Sequence, residues 1–243
     1  MSLLTLIVLV AFSHISVGFK IRASCLNLRG TCQHDSTSCS GNYVSNLCSG
    51  SSSIRCCVPS SDGTSQTICS NIQVVSRATW GARKPKKVTT ITNAVPWYFV
   101  HHTETPTCYN ETECAKLLKS IQNYHMNERG YNDIGYSFLI GQDGRVYEGR
   151  GWGVVGAHTR HYNSRSYGVS FIGNFMKMLP IKNALNAAKG LAQCGLNKGF
   201  MKPTYSLFGH RDVGDTDCPG NSLYAEIRTW DRYNYTHHSP FRH

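Results

Sequence analysis

Three histidines and one cysteine stand out for the chemistry their types and spacing allow. His101 and His102 lie where an apolar run, Trp97-Tyr98-Phe99-Val100, gives way to polar residues, the pattern of a strand end. His210 follows Gly209 at the end of a second strand candidate, Tyr205 to Phe208. Cys218 lies eight residues further on, just before Pro219-Gly220. Imidazole nitrogens and a thiolate suit Zn2+. His210, Cys218 and one of His101 or His102 would give three protein ligands and leave one position of a tetrahedral ion open, as in catalytic zinc sites. The alternative is a solvent-facing histidine pair and a cysteine that is free or in a disulfide.

These residues need a scaffold, and from residue 68 to 235 the chain reads as one α/β domain. Strands are predicted at Trp97–His101, Tyr136–Ile140, Arg145–Glu148, Tyr167–Ile172 and Tyr205–Phe208. Gly141-Gln142-Asp143-Gly144 makes a hairpin of the second and third. A helix is predicted over Glu113–Asn127, with Leu117, Leu118, Ile121 and Tyr124 on one face and Gly130 beyond its end. A second opens at Pro180, with Ala184, Leu185, Ala188, Leu191 and Ala192 aligned, and a third runs from Leu223 to Trp230. Together they predict a central, mostly mixed β-sheet covered by helices. Cys108 and Cys114 are close enough to close a short loop, and Cys69 and Cys194 can tie the start of the domain to its second helix. Cys218 is then left over.

The rest of the chain sets compartment and partners. Met1 to Phe12 is almost wholly apolar and Ser16-Val17-Gly18 offers small residues at a cleavage site, so residues 1–18 read as a secretory signal and the protein as extracellular. No later apolar run approaches the ~20 residues that cross a bilayer, which excludes an integral membrane protein. Asn110-Glu111-Thr112 and Asn234-Tyr235-Thr236 are glycosylation sequons. Cys25, Cys32, Cys39, Cys48, Cys56 and Cys57 define a small module at residues 25–58, too poor in large apolar residues to fold without disulfides. Metal binding is its alternative, against which stand the wide spacings and the oxidising compartment. A polar linker at 59–67 follows, and residues 236–243 form a tail. The net charge of +11 permits attraction to anionic envelopes. Arg83-Lys84-Pro85-Lys86-Lys87 is a local basic cluster, read as a solvated loop. Nucleic-acid binding has only the basic pI behind it, and no nucleic-acid partner is expected.

Residues 69–231 resemble the peptidoglycan recognition protein family, relatives of bacteriophage-type N-acetylmuramoyl-L-alanine amidases. The resemblance rests on Val100-His101-His102-Thr103, Tyr124-His125-Met126, Asp133-Ile134-Gly135-Tyr136, Gly144-Arg145-Val146-Tyr147-Glu148-Gly149-Arg150, Gly156-Ala157-His158, Gly168-Val169-Ser170-Phe171-Ile172-Gly173 and Gly209-His210-Arg211-Asp212-Val213, all in family order. It implies zinc ligands at His101, His210 and Cys218, and catalytic roles for Tyr136 and Thr216. It also implies substrate contacts at His102, Thr103, His125, Arg129, Tyr136, His158 and Asn163. Gly130, Tyr131 and Arg150 occupy the positions that tune the third residue of the peptidoglycan stem. Gly and Arg there match binders of diaminopimelate, and Tyr131 stands where those binders usually carry Trp. Arg150 would pair with the extra carboxylate of diaminopimelate, or else with a neighbour such as Glu148. The resemblance therefore implies a secreted zinc amidase of innate immunity that cuts the MurNAc–L-Ala bond of diaminopimelate-type peptidoglycan. Its alternative is a pattern-recognition protein that binds without cutting.

Overall fold

The structure is a computed structural model describing Cys25, residues 30–39, 41–45 and 47–59, Cys69 and residues 72–235. The expected signal sequence, the expected linker beyond Pro59, the expected tail and Thr236 of the second sequon lie outside the described residues. The chain divides into two compact units near residue 64.

The first unit is a three-stranded antiparallel sheet of β1 (Thr31–His34), β2 (Gly41–Val44) and β3 (Ile54–Pro59), in the order β1-β3-β2. Neighbouring residues on a strand point to opposite faces. Cys56 and Cys57 in the central strand therefore anchor one disulfide on each face, to Cys25 and to Cys39, while Cys32 joins Cys48. Ile54 and Leu47 are the large apolar side chains buried among the cystines. Cys25, Cys32 and Cys48 are close enough to hold a metal, but each is taken up in a disulfide, which removes the metal alternative for them.

The second unit holds β4 (Val74–Val75), α1 (Arg77–Trp80), β5 (Val95–His102), α2 (Glu111–Asn127), β6 (Phe138–Ile140), β7 (Val146–Glu148), β8 (Ser166–Phe171), α3 (Lys182–Asn197), β9 (Met201–Gly209) and α4 (Asn221–Ile227). Its sheet runs β4-β7-β6-β8-β5-β9. The β6–β7 hairpin is antiparallel and the other pairs are parallel, so the sheet is mixed. β5 and β8 lie in its interior, and their near-continuous apolar runs follow from burial on both faces. The core packs Tyr98, Val100, Val169 and Phe171 of these strands against Ala184, Ala188 and Leu191 of α3. On the opposite side Leu118 and Ile121 of α2 meet Trp80, Leu139 and Tyr147.

Several expected bounds move. The last strand begins at Met201, not Tyr205, and passes through Pro203. β9 is an edge strand, where a missing N–H breaks no ladder. The Asn110 side chain caps α2 by accepting from Glu113 N–H at 3.0 Å, which starts the helix two residues early. Tyr124, expected on the apolar face of α2, is exposed. The buried face instead includes Gln122, whose amide donates to Asp133 Oδ1 at 2.6 Å and to Arg83 O at 3.1 Å. A paired amide is buried at little cost, and this one turns the helix away from the stripe the apolar spacing gave. α3 begins at Lys182, two residues beyond Pro180, and α4 stops at Ile227. Cys69–Cys194 and Cys108–Cys114 are disulfides, and Cys218 is the free cysteine among the described residues.

Candidate metal centre and adjoining groove

The carboxyl ends of the parallel strands, where open α/β sheets bind ligands, bring the reactive residues together. Val100 of β5 pairs with Gly209 of β9, so His101 and His210, each the next residue, emerge side by side with ring centroids 4.7 Å apart. Cys218 reaches the same point from the loop after β9, its Sγ 3.6 Å from His101 Nδ1 and 3.4 Å from the His102 N–H. The ligand atoms of His101, His210 and Cys218 all lie within 4.8 Å of one another. Burial and neighbouring histidines hold His101 well below the usual imidazole pKa, and burial beside His102 lowers His210 to about 4. Both rings are therefore held neutral, each keeping one nitrogen lone pair. Burial pushes the Cys218 thiol up to about 12, which a divalent cation would reverse by drawing the proton off. Two neutral imidazoles and one thiol fit Zn2+, and His101, not His102, is the histidine of β5 that faces the other two.

A second layer fixes this set. His101 Nε2 lies 3.2 Å from His158 Nδ1 and 3.4 Å from Thr159 Oγ1, and those two are 2.9 Å apart. Asn163 Oδ1 accepts from the N–H groups of both His158 and Thr159, at 2.8 and 2.9 Å. A Cβ at Gly168 would come within 2.5 Å of the His158 ring, so a glycine in β8 makes room for it. His158 Nε2 is buried without a partner among the described residues. Thr216 Oγ1 accepts from Cys218 N–H at 3.2 Å. His102 Nδ1 accepts from Phe175 N–H at 3.3 Å, and Thr103 Oγ1 accepts from Gly173 N–H at 2.9 Å. Those two steady the loop after β8.

Aromatic rings lead away from the centre. Tyr136 lies 5.4 Å from the His101 ring and 5.7 Å from His125, which lies 5.3 Å from Tyr131. His125 Nδ1 accepts from Gly135 N–H at 3.0 Å, and burial with nearby Arg150 and Arg129 lowers its pKa to about 4. The row ends at a cavity of about 290 Å3 whose lining includes Lys87, Gly130, Tyr131, Asn132 and Arg150. Gly130 has φ +69° and open space where a side chain would stand. Arg150 does not pair with Glu148. Its Nε donates to Ile134 O and its Nη1 to Val155 O, both at 2.7 Å. Arg129 is exposed beside Tyr131 and Tyr124.

Thr159 and Ser170 escaped the sequence reading. Ser170 pairs in register with His101 and lies beside Tyr136. A hydroxyl at Ser170, between Val169 and Phe171 in a buried strand, was the available signal.

Comparison with known proteins places this architecture. A family described as N-acetylmuramoyl-L-alanine amidase matches residues 92–221. Peptidoglycan-recognition protein LB of Drosophila melanogaster is 46% identical over 164 residues, 67% of this chain and 71% of that protein. The N-acetylmuramoyl-L-alanine amidase of Sus scrofa is 44% identical over 167 residues, 65% of this chain but 27% of the pig protein. The structure of peptidoglycan recognition protein-LE in complex with tracheal cytotoxin, a monomeric diaminopimelic acid-type peptidoglycan, superposes with a TM-score of 0.65 at 40% identity, covering 68% of this chain and 96% of that one. With the strand-end histidines, the loop cysteine and the mixed sheet in one frame, the chain belongs to the peptidoglycan-recognition protein family, built on the N-acetylmuramoyl-L-alanine amidase domain.

Proposed function

We propose that this protein is a secreted zinc amidase of innate immunity that cleaves the bond between the lactyl group of MurNAc and L-Ala in bacterial peptidoglycan, with diaminopimelate-type stems preferred. The convergence of His101, His210 and Cys218 within 4.8 Å carries this reading. Bound there, Zn2+ supplies a Lewis acid and a water that ionises near neutral pH. The protein's own groups do the rest. His158 and Thr159 hold the far nitrogen of His101, which fixes the ring's orientation. Thr216 holds the main chain of Cys218.

Burial, then the nearby Cys218, raises the Tyr136 phenol well above its ordinary pKa, so it keeps its proton and stays a donor. Its hydroxyl is assigned to the amide oxygen as that oxygen gathers negative charge. His158 Nε2, buried and unpartnered among the described residues, is free to bond the sugar–peptide junction. Arg150, anchored by two carbonyls, offers its remaining donors to the extra carboxylate of diaminopimelate. The complex of the relative protein-LE with a diaminopimelic acid-type ligand supports that preference. The five disulfides among the described residues suit an extracellular protein.

Purified protein incubated with diaminopimelate-type peptidoglycan is expected to release free stem peptides beginning with L-Ala, read by mass spectrometry. A chelator stops the release and added zinc restores it. No stem peptide with zinc present, while the walls still retain the protein, would replace the amidase with a binding module.

A further inference from the structure

The basic run Arg83–Lys87 does not act as one solvated patch. Arg83 Nη1 donates to Asn123 Oδ1 at 2.8 Å and Asn127 Oδ1 at 3.0 Å on α2. Lys86 Nζ donates to Met126 O at 2.7 Å, satisfying a carbonyl in the last turn of that helix. Lys87 differs from both. It lines the cavity that holds Arg150, Gly130 and Tyr131, and makes no hydrogen bond or ion pair among the described residues.

Its backbone is fixed from both sides, to the same loops that form the cavity. Lys86 N–H donates to Asn132 O at 2.8 Å, Val155 N–H to Thr89 O at 2.9 Å, and Ile91 N–H to Gly153 O at 2.8 Å. No acidic side chain lines the cavity. Arg150 has its Nε and one Nη1 hydrogen committed to main-chain carbonyls, so it enters with a fixed orientation and part of its fork in use. Two cations, one rigid and one on a flexible stem, line the same cavity, and the nearby carboxylate, Asp133, is already engaged by Arg77 and Gln122.

We infer that Lys87 is a specificity-determining residue, which with Arg150 reads a free carboxylate on the third residue of the stem and discriminates against the same group as an amide. The inference rests on the peptidoglycan reading above and deepens it. An ionised carboxylate only accepts hydrogen bonds and is served by both cations. An amide carries no charge and sets an NH2 donor against an ammonium or a guanidinium, which have no acceptor to offer.

Calorimetry tests this with two monomeric muropeptides that differ only in whether the side-chain carboxyl of diaminopimelate is free or amidated. Wild type is expected to prefer the free acid. Lys87→Met is expected to lose about three- to tenfold in affinity for the free acid, as for a partly exposed charge-assisted contact. It leaves the amidated ligand unchanged, and Lys87→Arg keeps the preference. An unchanged melting temperature shows that Lys87→Met folds, as its exposed side chain leads one to expect. Equal losses for the two ligands, or no loss for either, overturn the role of Lys87 while wild-type binding leaves the peptidoglycan reading standing. Failure of wild type to bind either ligand overturns both.

Discussion

Tyr136 sits between the two halves of the groove, its ring touching that of His101 on one side and His125 on the other. The role proposed for it as oxyanion donor needs a proton that stays on at working pH, and burial supplies that condition. Tyr136→Phe keeps the ring and removes the donor. Turnover is expected to fall by about 10²–10³, the usual loss for one oxyanion donor, with zinc content unchanged. Loss of zinc by metal analysis would instead place Tyr136 in the coordination shell. The three candidate ligands could be named from sequence because each ends an element or sits beside Pro-Gly, and family motifs carried the choice of His101 over His102; the fold brings them within 4.8 Å of one another. Thr159 was not readable, because its partner, the His101 ring, lies 58 positions away and meets it only when the sheet closes.

At the scale of elements, the segment from Gly156 to Arg165 acts as a brace behind β5. Asn163, at the start of a 3₁₀ turn, holds two successive N–H groups of that segment and through them the His158 ring against His101. Asn163→Ala is expected to cost about 1–3 kcal/mol, since a donor left unpaired in a partly buried site loses its solvation without compensation. Denaturant unfolding should show this as a lower midpoint at unchanged slope, accompanied by weaker zinc binding. Wild-type stability and zinc affinity in the variant would make Asn163 a ligand contact only. Periodicity gave the order of strands and helices from Trp97 onward, but not the short β4 and α1 that precede it. It did not give the start of β9, since Pro203 reads as a strand breaker and only edge position permits it. Nor did it give the buried face of α2, since an amide bonded to Asp133 takes a place that apolar spacing assigns to Tyr124.

For the molecule as a whole, disulfides and site chemistry divide the cysteines cleanly. Six are paired in the small unit and four in the large one, leaving Cys218 alone and buried beside two neutral histidines. The groove contacts assigned to Tyr131, Arg150, His125 and His158 do not depend on that sulfur, so cutting and holding should separate. Cys218→Ser replaces the proposed zinc ligand with a hydroxyl that stays protonated at neutral pH. Stem-peptide release and wall pull-down, measured side by side on wild type and this variant, give the decisive comparison. The expected result is no release, no bound zinc and retention on diaminopimelate-type walls close to wild type. Release of stem peptides at the wild-type rate by the serine variant would contradict a zinc centre built on His101, His210 and Cys218.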